Sequence, residues 1–275
     1  MDWQNYGISI NGTILNHLRF ADDLILISDK HTTLQKMLQE LSVNSRKVGL
    51  TMNKSKTKVM TNGNTETILL EGEQIEYVDS YVYLGQLISF SNQMDQEIER
   101  RVTNAWRKYW SFKEIMKNSQ YPMSSKRKLF NLCILPTLTY GCQTWALTRK
   151  TLQKIRTCQR GMERSMLGFT RKDRKRCKDL RRITKLEDVV IQTKILKWRW
   201  TGHMLREKSK KWTKAITEWE VRDGSKRKRG RQRKHWVDDI KQAAGSLWTR
   251  EAQNRLLWEN LEEAYASEDA LIGKN

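Results

Sequence analysis

The feature that most constrains this chain is a change of pattern near residue 92. Before it, apolar residues fall in short β-like runs broken by turn residues; after it, they recur at helical spacing. Gly7 to Thr13 carries an Asn11-Gly12 pair between β-branched residues, a strong hairpin signal. Leu18-Arg19-Phe20 and Leu24-Ile25-Leu26-Ile27 flank Ala21-Asp22-Asp23, which reads as strand, acidic turn, strand. Leu34, Met37, Leu38 and Leu41 predict one helix over 32–48, with Gly49 at its carboxyl end. Residues 50–60 and 68–89 read as further short β segments, with Val82, Leu84 and Leu87 as the inward residues. Beyond Asn92 the spacing predicts helices over 93–117, 123–147 with a kink near Pro136, 149–167, 187–206 and 249–267. The stretch 221–234 has no apolar periodicity and reads as a loop or disordered segment. The fold class is α+β with the two kinds of structure segregated along the chain, in three regions: 1–90, 91–169 and 170–275.

Charge is as uneven as periodicity. The chain carries 52 Lys and Arg against 31 Asp and Glu, a formal net charge of +21. Residues 1–90 are net −2, 91–170 net +10, 171–234 net +17 and 235–275 net −4. A bias serving solubility alone would be spread evenly, whereas concentration in one stretch suits a phosphate backbone. The run Lys226-Arg227-Lys228-Arg229, with Arg231, Arg233 and Lys234, is the densest part and the expected nucleic-acid contact; it also has the composition of a nuclear localisation signal. Cys133, Cys142, Cys158 and Cys177 form no Cys-x-x-Cys pair and have no histidine at finger spacing, which excludes a zinc knuckle. His203 and His235, without a carboxylate or thiol constellation, read as structural. Cysteine usage and the absence of a secretory leader point to the nucleus or cytoplasm, and no apolar run is long enough to span a bilayer.

The acidic turn is the one place where chemistry is written locally. Adjacent carboxylates at a hairpin tip can hold Mg²⁺, a hard cation that takes oxygen ligands. In nucleotidyl transfer two such ions, about 3.5–4 Å apart, clamp the attacking and leaving oxygens. Alternation along a strand would send Asp22 and Asp23 to opposite sides, so a further carboxylate from elsewhere is required. Seven of the 11 tryptophans follow residue 190, interleaved with basic residues. Such aromatics can stack on bases, but most are expected in the core, as Trp198 and Trp200 lie among Ile195, Leu196 and Leu205.

Phe20-Ala21-Asp22-Asp23 resembles the Phe/Tyr-x-Asp-Asp box of reverse transcriptases. Gly49-Leu50-Thr51-Met52-Asn53, followed by Lys56-Thr57, resembles the motif that comes next in that family, and Tyr81-Val82-Tyr83-Leu84-Gly85 resembles its Tyr-x-x-Leu-Gly hairpin. Later matches are Leu135-Pro136-Thr137-Leu138-Thr139-Tyr140-Gly141 with Trp145, Trp198-Arg199-Trp200-Thr201-Gly202-His203, and His235-Trp236-Val237-Asp238-Asp239-Ile240. Their order and spacing resemble the carboxyl-terminal part of a non-LTR retrotransposon reverse transcriptase of the RTE-like kind, over essentially the whole chain. Arg229-Gly230-Arg231 also resembles the centre of an AT-hook, except that Gln232 stands where proline is usual.

The resemblance implies part of a right-hand polymerase palm over 1–90, a helical thumb over 91–169 and a basic, tryptophan-rich nucleic-acid-binding region over 170–275. It implies that Asp22 and Asp23 are catalytic metal residues for Mg²⁺, and that Lys56 is a general acid toward the pyrophosphate leaving group. Tyr81, Tyr83, Leu84 and Gly85 would contact the primer. The implied partners are an RNA template and a DNA target or primer, with dNTP as substrate only where the rest of the palm is supplied. Only 21 residues precede Asp22, and they contain no match to the family's first palm aspartate or second palm motif. The expectation is therefore a chain that, alone, does not extend a primer.

Overall fold

The structure is a computed structural model that describes residues 3–209, 211–219 and 234–267. The chain divides into two compact units: residues 1–93 with 210–224, and residues 94–209 with 225–275. The run 226–233, with most of its expected nucleic-acid contacts, lies outside the described residues.

The first unit is built from four antiparallel hairpins, each a separate two-stranded sheet: β1 (Ile8–Ile10) with β2 (Thr13–Leu15), β3 (His17–Phe20) with β4 (Asp23–Leu26), β5 (Leu69–Leu70) with β6 (Glu73–Gln74), and β7 (Ser80–Tyr83) with β8 (Gln86–Ser89). All four close through two-residue loops. Asn11-Gly12, Glu71-Gly72 and Leu84-Gly85 have positive φ at both loop positions, the pattern of a type I′ turn, whose twist matches that of the flanking strands. One helix, α1 (His31–Lys47), lies between the second and third hairpins. The core of this unit is small: Leu38, Val59, Ile68, Leu70 and Ile75, with Leu26, Leu34, Met52 and Tyr77 packed around them.

Two expectations are corrected here. Residues 50–60 form no strand; their sole ladder contact is a bridge between Val59 and Tyr77. Val82 and Leu84 are not inward: they are 47% and 38% exposed, and Leu87 is only half-buried. A two-stranded ribbon has no inside of its own, so alternation alone does not bury either face.

Twelve α-helices are present among the described residues. After α1 come α2 (Gln93–Ser111), α3 (Lys113–Met116), α4 (Met123–Leu129), α5 (Leu135–Thr139), α6 (Arg149–Met166), α7 (Cys177–Thr184), α8 (Val189–Arg206), α9 (Trp212–Glu218), α10 (Asp238–Ala244), α11 (Trp248–Glu251) and α12 (Arg255–Ala266). Of these, α9 groups with the first unit. The expected kink near Pro136 takes the form of a π-turn, Phe130–Ile134, between α4 and α5. Pro136 has no N–H to donate to the carbonyl one turn back, and the wider turn absorbs that loss. The helix expected over 249–267 is two, separated by Ala252, Gln253 and Asn254, and the Asn254 side chain caps α12 by accepting from the Leu257 N–H. Helices α7, α9 and α10, at most eight residues each, were not legible as periodic segments.

The helical unit has two cores. One gathers Ile98, Tyr109, Phe130, Trp145, Ile155, Met162 and their neighbours from α2 to α8. The other is aromatic: Trp198 of α8 stacks on Trp258 of α12 with ring centroids 3.9 Å apart and planes 9° from parallel. Each indole N–H donates to the other residue's carbonyl, at 2.8 and 3.0 Å. Gly202 permits this approach, since a Cβ there would lie 2.5 Å from Trp258 Nε1. Of the seven late tryptophans, five are buried in this core or packed against it, as expected; Trp219 is exposed.

Between the two cores lies a buried ion pair. Lys197 Nζ donates to the Trp145 and Trp236 carbonyls at 3.1 and 2.6 Å and to Asp239 at 2.9 Å, and Asp239 also accepts from Tyr265 Oη at 2.6 Å. Burial pulls the Lys197 ammonium below its ordinary value against the opposing pull of Asp239. Lys234, expected among the nucleic-acid contacts, is half-buried and donates to the Leu147 carbonyl at 3.0 Å. No helix among the described residues is long and apolar enough to cross a membrane.

Candidate polymerase-derived site

The acidic pair sits on the tightest feature of the first unit. Phe20 pairs with Asp23 to close β3 and β4, which leaves Ala21 and Asp22 as the two loop residues. Ala21 has φ +51 and Asp22 does not have a positive φ, so the turn has the sign pattern of type II′, where glycine is preferred at the first position. An alanine there stores about 1 kcal/mol of backbone strain. Asp22 is a turn residue and only Asp23 a strand residue, so the alternation argument does not apply to the pair. Both carboxylates are exposed, and neither has a hydrogen bond or ion pair with any described residue. Phe20 is 62% exposed beside them.

The hairpin of β7 and β8 meets this turn electrostatically. Tyr83 is half-buried, and burial together with the Asp23 carboxylate pushes its phenol above the ordinary value. One strand position pair back, Tyr81 Oη donates to the Lys56 carbonyl at 3.3 Å. Tyr81 thus ties the loop around Lys56 to β7, and Tyr83 of the same strand is within electrostatic reach of Asp23.

The three lysines of that loop are sorted by their partners. Lys54 Nζ binds Glu73 at 2.6 Å and Glu71 at 3.5 Å, while Lys58 Nζ binds Glu76 at 2.5 Å. Lys56 is exposed and has no ion-pair partner among the described residues. Its backbone is held by Asn53, whose Oδ1 accepts from the Lys56 N–H at 3.0 Å while its carbonyl accepts from the Thr57 N–H at 3.0 Å. Sequence reading singled out Lys56 by its match to a motif; the glutamates that occupy its neighbours gave no signal, because they lie 18 and 19 residues further along.

Over residues 7–88 the chain matches the reverse transcriptase (RNA-dependent DNA polymerase) family profile. It is also 32% identical over 282 aligned residues to an uncharacterized transposon-derived protein of Caenorhabditis elegans, covering 97% of this chain and 98% of that protein. The chain belongs to the transposon-derived reverse transcriptase family. No solved structure matches it.

Reverse transcriptase domains work with Mg²⁺, so the donor set can be tested against that ion. Two carboxylates free of other partners on one turn are donors of the right chemical type. Among the described residues, however, no group of three or more His, Cys, Asp or Glu side chains is placed to hold a metal ion. A two-metal centre needs more anionic oxygen than one turn supplies. The described residues therefore do not fit a complete two-metal site.

Proposed function

We propose that this reverse transcriptase chain derives from a non-LTR retrotransposon of the RTE-like kind, that it retains nucleic-acid binding, and that it does not polymerise alone. In this reading residues 1–90 are the later part of a palm, 91–169 a thumb and 170–275 a basic nucleic-acid-binding region. The parent reaction is RNA-templated DNA synthesis by two-metal nucleotidyl transfer. The observation that supports the reading is the order of three motifs within the family match over 7–88, with Tyr81 of the third bonded to the Lys56 carbonyl of the second. In the parent, Asp22 and Asp23 contribute to the metal site, Lys56 offers a proton to the leaving pyrophosphate, and the loop at Leu84 and Gly85 lies against the primer end. Partners are an RNA template and a DNA primer or target, and the working compartment is the nucleus or cytoplasm.

Primer extension on an RNA template with Mg²⁺ and dNTP tests the catalytic half. The expected result is no product. Template-dependent synthesis that Asp22→Asn or Asp23→Asn abolishes would overturn it. Binding of the same template–primer by the full chain, weakening steeply with salt, is expected for the other half.

A further inference from the structure

The helical unit carries a folded basic cleft whose residues are separate in sequence from the run at 226–234. A cleft of about 430 Å³ opens between α6 and α7. Six of its nine lining residues are Arg or Lys and none is acidic: Arg156, Arg160, Arg164, Arg171, Arg174 and Lys175. A second hollow of about 290 Å³ shares Arg156, Arg160 and Cys177 with the first and adds Lys178 and Arg181, so the basic surface continues past a single pocket. The twelve residues from Arg171 to Arg182 hold eight basic and two acidic side chains.

The cations of this cleft fall into a floor and a rim. The floor is neutralised: Arg160 binds Glu163 and Asp188 at 2.5 and 2.7 Å, and Arg181 binds Asp188 at 3.0 Å. Arg160, Glu163 and Asp188 are buried, so these pairs are committed to the fold. The rim is not neutralised. Arg171, Arg174 and Lys178 are exposed and have no ion-pair partner among the described residues. The loop that carries Arg171 and Arg174 is held locally, because Asp173 accepts from the Thr170 N–H and hydroxyl at 2.6 and 2.7 Å and so turns the chain ahead of Arg174, while Lys178 lies in α7. Arg164 lines the cleft from α6, with Nη1 on the Arg160 carbonyl and Nη2 3.3 Å from Cys177 Sγ.

We infer that this cleft binds the phosphodiester backbone of a nucleic-acid strand, with Arg171 and Arg174 as principal contacts. The inference rests on the reading of the chain as a nucleic-acid binder and gives that activity a folded site. Planar guanidinium groups pair bidentately with phosphate oxygens, and a lining of six cations with no acid suits a ligand that carries repeated negative charge. The continuation through the second hollow favours a polymer over a single small anion.

The test uses the full chain and a fluorescent 20-nucleotide RNA. The double variant Arg171→Glu/Arg174→Glu is expected to bind at least about tenfold more weakly near physiological salt, with a log–log salt slope shallower by about 1.4, as two phosphate contacts to a single strand are lost. Both side chains are exposed, so thermal unfolding should match the parent, and Arg171→Lys/Arg174→Lys should keep most of the affinity. Bound RNA should also slow alkylation of exposed Cys177, whereas inorganic pyrophosphate at matched phosphate concentration should not. If the parent chain binds RNA and the Glu variant binds it with unchanged affinity and slope, the cleft is not the site. Equal protection of Cys177 by pyrophosphate would make it a small-anion site and overturn the inference. If the parent chain binds no nucleic acid at all, the functional reading itself falls.

Discussion

The two units solve the problem of stability differently. The hairpin unit keeps its polymerase motifs on two-stranded ribbons over a core of five buried residues, and leaves Phe20, Val82 and Leu84 in solvent. The helical unit closes two cores and fastens them with buried polar groups: the Trp198–Trp258 stack, the Lys197–Asp239 pair and the Arg160–Glu163–Asp188 cluster. A buried ion pair contributes little net stability but costs much when half of it is removed, so these clusters specify one packing rather than adding to the total. The motif-bearing unit is thus held by turns and a few apolar contacts, and the basic unit by side chains that tolerate little change.

Substitutions can break this contrast. The largest effect is expected for Trp258→Ala, which removes a buried ring, its stack on Trp198 and its indole bond to the Trp198 carbonyl; it should cost about 3–5 kcal/mol and raise hydrogen exchange across α8 and α12. Undisturbed protection of α8 would show that the stack is not a fastening. Leu70→Ala should cost about 2–5 kcal/mol and raise exchange in α1 and the β5–β6 hairpin. If α1 keeps its protection, the small core is not what holds the hairpin unit.

A pH series separates the units by another route. Burial pushes the Cys142 and Cys158 thiols from an ordinary value of 9 up to about 12. Folding favours the neutral thiol, so this contribution is fully present below pH 9 and is lost as pH rises from 9 to 12. The burial of Tyr265 acts in the same direction above its ordinary value of 10. Unfolding of the helical unit, followed by chemical denaturation, should therefore become easier across that window, and Cys158→Ala should flatten the fall. A smaller effect is expected at the acidic turn: Ala21→Gly relieves the left-handed backbone and should stabilise the hairpin unit by up to about 1 kcal/mol, read as a shift in denaturation midpoint. The smallest is Asp23→Asn, whose exposed side chain should leave stability within about 0.5 kcal/mol. It should lower the Tyr83 phenol toward its ordinary value in an ultraviolet titration, and an unmoved phenol would separate the two motifs.

Much of the candidate site was legible because its information is local. A two-residue loop with glycine at the second position demands positive φ there, which is why Asn11-Gly12 could be read as a hairpin. Asp22-Asp23, Lys56 and Tyr81 to Gly85 were found as short ordered strings. The errors came where burial decides: alternation at Val82 and Leu84 spoke of two faces, but no third strand covers either. Lys234, expected in the phosphate-binding run, also donates to the Leu147 carbonyl, 87 residues away, a bond that no local pattern announces.

By itself the sequence determined the hairpin-then-helix order, the positions of the polymerase motifs and the excess of positive charge, because φ preferences, periodicity and composition depend on near neighbours. Only the tertiary structure decided which charges are available. Lys54 and Lys58 are held by Glu73 and Glu76 while Lys56 stands apart, and Arg160 is held by Asp188 while Arg171 and Arg174 are not. Whether a cation is spent on the fold depends on which carboxylate the packed chain brings within a few ångströms of it, and those partners lie 18 to 28 residues away.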